Sequence, residues 1–304
     1  MTDSLSEILK NGGIVAFPTE TVYGLGANAF NPDAIKKVFH IKGRPSDNPL
    51  IVHISNMNMA RLFWHHINDD TEKLASVFWP GPLTIVLEKK ADVLDIITAG
   101  LNTVALRMPK HEMALHLIGE TGPLVAPSAN LSGKPSPTKA IHVKQDFGKD
   151  FPVIDGGSCK IGLESTVINM VTEPYTILRP GHITLDEIEE VLGKKVMVAN
   201  LKEALQPQSP GMKYSHYAPD ASVRWLSHGE NPDRAKTLYL YPVSALPDQR
   251  ENIICYHSNY LEFARDLYDR FRQADLQGYN EIAIERFEQH DALLNRIEKA
   301  IGLT

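Results

Sequence analysis

The pattern of apolar and polar positions alternates between short apolar runs and longer stretches with the period of an amphipathic helix. A helical stretch over 3–10 is followed closely by an apolar run at 14–17. Asn31 and Pro32 have the residue types of an N-cap and a first-turn proline, so they predict the start of a helix. Further strands are predicted at 50–54, 83–87, 104–108, 124–126, 165–170 and 176–178, with helices near 71–78, 111–119 and 137–147. This alternation predicts an α/β fold with a largely mixed sheet.

The later part of the chain changes its pattern twice. Thr184 and Glu187 form a capping-box pattern, which predicts a helix that ends at Gly193. The stretch 206–219 has three prolines and no apolar period, and it therefore predicts an interdomain linker. After 221 we predict strands at 237–240, 252–256 and 281–284, a helix with the apolar stripe Leu261, Ala264, Leu267, Tyr268 and Phe271, and a final helix at 291–301.

The length of 304 residues is that of two domains rather than one. We place the first domain at 1–205, the linker at 206–220 and a small α/β domain at 221–304. Apolar residues make up 43% of the chain and charged residues 22%, which is ordinary for a globular protein. The composition therefore gives no indication of disorder.

Composition and charge exclude several classes of protein. The two cysteines, Cys159 and Cys255, are too far apart for a disulfide framework or a thiolate zinc site, and we predict no metal ligand. The N-terminus has no basic stretch before an apolar core, and no run approaches the roughly 20 apolar residues of a membrane span. We therefore expect a cytoplasmic protein without membrane contact. The net charge of −6 argues against a large nucleic-acid footprint but leaves a local basic groove open.

The stretch 24–29 fits the pattern G-x-G-x-x-A, which raises the question of a dinucleotide fold. In that fold the glycines open a helix directly after a strand. Here the helix signal at Asn31 and Pro32 comes several residues later, so the glycine turn and the helix start are uncoupled. The Walker pattern G-x-x-x-x-G-K-[ST] is also absent from the sequence. ATP would therefore have to bind through another arrangement.

Two cations follow the predicted helix that begins at Pro32. Lys42 carries a compact ammonium charge on a flexible side chain, and Arg44 carries a planar guanidinium group. Together these two groups suit the binding of phosphate oxygens. Cations near a helix C-terminus can also simply complement its dipole. Asn48 and His53 lie close by in the sequence, and this concentration of polar groups favours a binding role.

Three further segments are rich in small polar side chains. The loop 126–133 carries hydroxyls and an amide, Glu164–Thr166 precedes a strand, and 179–181 follows one. Thr103 and Arg107 are four residues apart in a predicted strand, so they lie on one face. Each segment alone is also typical of an ordinary turn or strand end.

Taken in order, these segments resemble the threonylcarbamoyl-AMP synthase family with its YrdC-like domain, in the two-domain form. The matching motifs lie at 18–26, 42–50, 128–133, 164–166, 178–181 and, in the linker, 209–219. The resemblance implies an N-terminal YrdC-like twisted mixed sheet with flanking helices and an open cavity. It also implies a small C-terminal Rossmann-like α/β domain.

The activity implied by this resemblance is the condensation of L-threonine, bicarbonate or CO₂, and ATP to threonylcarbamoyl-AMP and pyrophosphate, for the threonylcarbamoyladenosine modification of tRNA. The resemblance assigns threonine and its carbamate to Thr21, His53, Arg107, Ser128 and Ser165. It assigns the nucleotide to Arg44, Asn48, Thr103, Asn130, Thr138, Arg179 and Tyr214. Lys42 would lie near the phosphates, where Lys42, Arg44 and a magnesium ion that accompanies ATP would stabilise charge.

The resemblance also implies downstream threonylcarbamoyl-transfer proteins as partners and leaves a weak contact with tRNA open. The general base for the threonine amine stays open between His53 and water. Tyr214, His216 and Tyr217 lie close together in the linker, so we expect the linker to close over the nucleotide. Two alternatives share the YrdC-like domain: an RNA-binding module, and the hydrogenase-maturation carbamoyltransferase, whose CxxC zinc fingers this sequence lacks.

Overall fold

The structure is a computed structural model that describes residues 2–199, 217–227, 229–246 and 250–303. The strands of the first domain are β1 (Val15–Phe17), β2 (Gly24–Asn28), β3 (Ile51–His53), β4 (Leu83–Glu88), β5 (Thr103–Arg107), β6 (Leu124–Val125), β7 (Thr166–Asn169), β8 (Thr176–Arg179) and β9 (Met197–Val198). Its helices are α1 (Thr2–Lys10), α2 (Pro32–Lys42), α3 (Met57–Ala60), α4 (Asp69–Phe78), α5 (Asp95–Thr98), α6 (Glu112–Thr121), α7 (Ala140–Phe147) and α8 (Leu185–Leu192).

The nine strands form one mixed sheet in the order β1-β2-β6-β3-β5-β4-β7-β8-β9. β3 pairs with β5 in parallel, and β4 pairs antiparallel with β5 but parallel with β7. The α/β class and the mixed sheet are therefore confirmed. A large apolar core that includes Leu25, Val52 and Leu106 lies in this domain.

The local helix signals are confirmed where the sequence carries a cap. Asn31 accepts hydrogen bonds from the backbone N–H groups of Asp33 and Ala34 at the start of α2. Thr184 and Glu187 form the complete capping box of α8. Such caps satisfy backbone donors that the helix itself leaves unpaired, which is why they mark helix starts in the sequence.

The glycine-rich stretch after β1 was expected to be a loop, and that expectation is wrong for Gly24–Asn28. These residues form β2, which pairs antiparallel with β1. A Cβ on Gly26 would lie 2.9 Å from Cε1 of Phe17, so only glycine lets the Phe17 ring pack on the strand. The glycines therefore serve strand packing, and α2 begins later at Pro32. The uncoupling of the glycines from the helix start is confirmed.

The second domain has a four-stranded sheet in the order β10-β13-β11-β12, with all described pairings parallel. Its elements are β10 (Ser222–Trp225), β11 (Thr237–Tyr241), β12 (Ile253–Cys255), α9 (Tyr260–Leu276), β13 (Glu281–Ile284) and α10 (Asp291–Ile301). The sequence pattern missed β10. It also placed Leu261 on the buried stripe of α9, whereas Leu261 is 64% exposed and Phe263 is buried.

The two domains make polar contacts through α9. Arg272 donates from Nη1 and Nη2 to Asp146 at 2.9 and 2.8 Å, and Asp269 contacts Lys139 at 2.8 Å. The predicted linker 206–220 separates the two sheets in the chain, but residues 206–216 lie outside the described residues. The domain boundaries therefore stay predictions. In the described part of the chain, no helix has the length and apolarity needed to cross a membrane.

Candidate active site

An open cavity lies in the first domain beside the second. Seven of the residues predicted for ligand binding line it: Arg44, His53, Arg107, Ser128, Asn130, Ser165 and Arg179. They come from separate strands and loops that the sheet order brings together. The structure therefore gathers most of the predicted site at one place.

One wall is formed where β3 and β5 end side by side. The parallel register pairs His53 with Arg107, so their positions are neighbours at the same edge of the sheet. Nη2 of Arg107 lies 2.8 Å from Oε2 of Glu20, and its Nε donates to the carbonyl of Gly81 at 3.3 Å. Burial, followed by the Arg107 charge, lowers the pKa of His53 to about 3. His53 is therefore neutral at physiological pH, and Arg107 carries the positive charge of this wall.

The opposite wall is formed by the start of β7 and the end of β8. Arg179 donates from Nε and Nη2 to the carbonyl of Ser165 at 3.1 and 3.0 Å, and from Nη2 to its hydroxyl at 3.1 Å. The Ser165 hydroxyl also lies 2.8 Å from that of Thr84. Ser165 is thus held in one orientation by two partners, which places a hydroxyl and a guanidinium together at the cavity.

Gly181 makes this close arrangement of backbone segments possible. A Cβ at this position would lie 2.2 Å from the backbone nitrogen of Thr166 and 2.8 Å from the carbonyl oxygen of Glu164. Any larger residue would push the loop after β8 away from the strand that begins with Thr166. Glycine is therefore required at the end of the predicted Arg-Pro-Gly segment because two backbone segments pack too closely there for a side chain.

Lys42, which the sequence predicts near the phosphates, contacts the loop that carries Ser128. Its Nζ donates to the carbonyl oxygens of Ser128 and Asn130, both at 2.6 Å, and the side chain is buried. Burial, followed by the neighbouring Arg44 charge, lowers the pKa of Lys42 well below its usual value. Lys42 thus ties the end of α2 to the loop that carries Ser128, and its contact with phosphate stays a prediction.

The loop after α2 contributes Arg44 and Asn48. Nη2 of Arg44 donates to the carbonyls of Asn48 and Pro49 at 3.3 and 3.0 Å, and Arg44 lines the cavity. Among the described residues, both side-chain atoms of the fully buried Asn48 and Oδ1 of Asn130 have no hydrogen-bond partner. Buried amides without partners are costly unless a ligand satisfies them.

Three further predicted residues, Thr21, Thr103 and Thr138, are not among the residues that line the cavity. Thr21 is buried, with its hydroxyl 2.8 Å from that of Thr19, which does line the cavity. Thr103 lies at the start of β5, at the far end of that strand from Arg107. Thr138 lines a second cleft beside α9. Tyr214 lies outside the described residues.

Four polar residues to which the sequence assigned no individual ligand also line the cavity: Thr19, Lys134, Glu164 and Tyr217. Glu164 directly precedes the predicted Ser165, and Tyr217 belongs to the linker in which aromatic residues concentrate. The position of Glu164 next to Ser165 and that of Tyr217 in the aromatic linker were the sequence signals that could have identified these two residues as part of the cavity. The expected closure of the linker concerns residues that mostly lie outside the described part, but Tyr217 itself reaches the cavity wall.

The described residues contain no group of three His, Cys, Asp or Glu side chains that could hold a metal ion. The cavity instead carries the cations Arg44, Lys134, Arg107 and Arg179. Glu20 pairs with Arg107, and Glu164 pairs with Arg296 at 2.8 Å. An arrangement of this kind suits an anionic ligand with several oxygen atoms.

Comparison with known proteins supports the resemblance to the threonylcarbamoyl-AMP synthase family. A family model for Sua5, YciO and YrdC proteins, described as "Telomere recombination", matches residues 7–181. A second model, described as "Threonylcarbamoyl-AMP synthase, C-terminal domain", matches residues 183–302.

Individual relatives cover almost the whole chain. Threonylcarbamoyl-AMP synthase of Pyrococcus abyssi is 44% identical over 97% of this chain and 92% of the relative. The Bacillus subtilis protein of the same name is 43% identical over 97% of this chain and 91% of the relative. The crystal structure of P. abyssi Sua5 complexed with L-threonine superimposes with a TM-score of 0.89 and 41% identity, covering 99% of this chain and 94% of that one.

Proposed function

We propose, from the premise that this chain belongs to the threonylcarbamoyl-AMP synthase family, that the cavity condenses L-threonine, bicarbonate and ATP to threonylcarbamoyl-AMP and pyrophosphate. The protein is an enzyme of the nucleotidyltransferase type, and its product serves the threonylcarbamoyl modification of tRNA. The observation that carries the proposal for the cavity is the convergence of three guanidinium groups, Arg44, Arg107 and Arg179, with two serine hydroxyls.

We assign the wall with Arg107 and His53 to threonine. A guanidinium matches a carboxylate in shape and charge, and Arg107 is the cation of this wall. His53 is neutral there, since its pKa is about 3, so it offers a hydrogen bond without adding charge. Ser128 and Ser165 supply hydroxyls, which suit the hydroxyl of the substrate. The bound threonine of the P. abyssi structure supports this class of ligand.

We assign the wall with Arg44 and Arg179 to the nucleotide. Lys134 adds a third cation that lines the same cavity. The unpartnered Oδ1 of Asn130, which lines the cavity, supports a ligand with several polar groups near this wall. Asn48, Thr103 and Thr138 do not line the cavity and Tyr214 lies outside the described residues, so their contacts with the nucleotide stay predictions.

The proposed chemistry has two steps. The neutral amine of threonine attacks CO₂ formed from bicarbonate, loses a proton and becomes a carbamate. A carbamate oxygen then attacks the α-phosphorus of ATP, the bond to the bridging oxygen breaks, and pyrophosphate leaves with the electron pair. A carbamate is unstable in water, so holding both partners in a closed site is worth several kcal/mol. Arg44 and Arg179 stabilise the charge that develops on the phosphate oxygens.

No side chain of the cavity is needed as a nucleophile in this scheme. The pKa of His53, about 3, makes its imidazole a weak base, and water is a weaker base still. The acceptor of the amine proton therefore stays open between His53 and water. The role of His53 would be to orient threonine.

We propose that magnesium enters as part of the Mg–ATP substrate. Among the described residues that line the cavity, Glu164 is the one carboxylate, and it is already engaged by Ser136, Tyr268 and Arg296. Phosphate oxygens and water would therefore be the ligands of the ion. The residues of the cavity do not offer a separate protein site for it.

We further propose that proteins which transfer the threonylcarbamoyl group to tRNA consume the product, and that this takes place in the cytoplasm. A weak contact of this chain with tRNA stays open. A pure RNA-binding module is the less favoured alternative, because the net charge of −6 argues against a large nucleic-acid footprint.

Pyrophosphate release by the purified protein tests the proposal. We expect release that requires ATP, threonine and bicarbonate together, and that falls to background when any one is omitted. The variant Arg61→Ala is a suitable control, since Arg61 is exposed directly after α3 and does not line the cavity. Pyrophosphate release that proceeds equally without threonine or without bicarbonate would overturn the proposal.

A further inference from the structure

Glu164 in the cavity wall is held mainly by the second domain. Its Oε1 accepts from the hydroxyl of Ser136 at 2.6 Å. Its Oε2 accepts from the hydroxyl of Tyr268 in α9 at 3.0 Å and from Nε of Arg296 in α10 at 2.8 Å. An ionised carboxylate offers about four acceptor positions. Three donors therefore occupy most of the capacity of this group.

The Glu164 carboxylate lies between two buried cations. Burial alone would raise its pKa, but the charges of Arg296 and Arg179 and the bond from Ser136 lower the pKa of Glu164 to about 2. Arg296 has no exposed surface, so it carries its charge entirely inside the protein. A buried charge of this kind is tolerated only when it is paired.

Arg179 is the second cation near Glu164, and it belongs to the catalytic wall. Its bonds go to the carbonyl and the hydroxyl of Ser165. If Arg296 were absent, Arg179 would be the remaining buried guanidinium within electrostatic reach of the carboxylate. A charged hydrogen bond to Glu164 would then compete with the bonds that keep Arg179 on Ser165.

The same two residues of the second domain also hold Tyr217. The ring of Tyr217 stacks on Tyr268 with centroids 5.3 Å apart. The guanidinium of Arg296 lies over the Tyr217 ring at 5.5 Å. Tyr217 lines the cavity. One pair of residues thus contacts both an acidic and an aromatic residue of the cavity wall.

We propose that Arg296 and Tyr268 are positioning residues of the active site, which occupy the carboxylate of Glu164 so that Arg179 stays on Ser165. This inference rests on the proposed function, because it assumes that the wall with Arg179 binds the nucleotide. It gives the second domain a defined role in catalysis that does not require it to touch the substrate.

The experiment measures the dissociation constant of a non-hydrolysable ATP analogue by calorimetry, on full-length variants whose folding is checked by circular dichroism. Arg296→Met removes the cation and should weaken binding roughly tenfold or more, the scale of one lost charged hydrogen bond. The matched control is Arg272→Met, which breaks the other buried arginine pair between the domains, with Asp146. We expect its binding to stay within about twofold of wild type.

The double variant Glu164→Gln with Arg296→Met distinguishes positioning from general damage. Without its charge, residue 164 no longer attracts Arg179, so we expect binding to recover to within about threefold of wild type. A purely structural role predicts that the double variant binds no better than Arg296→Met. That result, or wild-type affinity in Arg296→Met itself, would overturn the inference.

If Arg296→Met does not fold, two less disruptive variants test the positioning role instead. Tyr268→Phe removes one donor to Glu164 without changing the shape of the side chain, and we expect roughly threefold weaker binding. Tyr256→Phe is the control, because Tyr256 is buried in the same domain beside Phe263. Equal binding by these two variants would contradict the inference. If wild-type protein fails to bind the analogue at all, the proposed function fails, and the positioning role falls with it.

Discussion

Arg107 and Glu20 form an ion pair beside the threonine wall, with 2.8 Å between Nη2 and Oε2 and both side chains 5% exposed. The pair joins β5 to the polar segment after β1, which are far apart in the chain. It lets the cavity keep a buried guanidinium, because the carboxylate balances its charge in the absence of substrate.

The first prediction concerns this pair. Glu20→Gln should lower the free energy of unfolding by about 3 kcal/mol, because it leaves the Arg107 charge buried without its partner. Urea unfolding measures the change. Glu88→Gln is the control, since Glu88 is exposed at the end of β4 and should change stability by less than about 0.5 kcal/mol. Equal stability of the two variants would contradict the role given to Glu20.

The second prediction separates Lys42 from Arg44. Arg44→Ala should lower pyrophosphate release by roughly a hundredfold, because it removes a preorganised charge at the cavity. It should cost less stability than Lys42→Ala, because Arg44 is only half-buried although it too donates to two carbonyls. Lys42→Ala should lower activity as well, but it should also lower the free energy of unfolding by about 2 kcal/mol or more, since two carbonyls lose their donor. Kinetics and urea unfolding of both variants provide the test. A Lys42 variant of wild-type stability would show that its bonds to the loop are unimportant.

The third prediction is a pH dependence of stability from His53. The pKa of His53 is about 3 in the folded protein and about 6.5 in the unfolded chain, so the unfolded state binds more protons between these values. Its contribution to stability is therefore lost as the pH falls through this window. Between about pH 7 and pH 5 the loss of stability should be about 2 kcal/mol, and His53→Gln should remove this loss.

His66→Gln is the control for this prediction, because His66 is exposed. An unchanged pH dependence in His53→Gln would refute the buried neutral imidazole.

The fourth prediction concerns the hydroxyl of the substrate. Ser128 and Ser165 line the same cavity as the proposed threonine wall, and a ligand without a hydroxyl would leave such groups unpaired. We therefore expect 2-aminobutyrate to bind roughly tenfold or more weakly than threonine in a calorimetric titration. Equal affinity for the two amino acids would show that the serine hydroxyls do not recognise the side chain.

Some of this fold follows from local sequence signals and some does not. The starts of α2 and α8 were predictable because Asn31 and Thr184 cap them through nearby backbone groups. The strand β2 was not predictable, because its two glycines are typical of a turn. They are needed in the strand because the ring of Phe17 packs against them, and that contact is not local in the sequence. Leu261 fits the period of α9 but lies outside the buried face, since neighbouring elements decide which side of a helix is covered.

The site shows the same division. Ser128, Ser165 and Arg179 stand in recognisable polar segments, and the cavity brings them together. The contact of Glu164 with Arg296 spans 132 residues and two domains, so no local pattern indicates it. The bonds of Lys42 to the loop after β6 are equally non-local, so no local pattern indicates them.

The most direct test of the account is the identity of the product. Purified protein is incubated with ATP, L-threonine and carbon-13 bicarbonate, and the reaction is analysed by mass spectrometry. The account predicts threonylcarbamoyl-AMP that carries the label in its carbamoyl carbon, formed in step with pyrophosphate. Release of AMP or ADP without this adduct, or an adduct without the label, would contradict it.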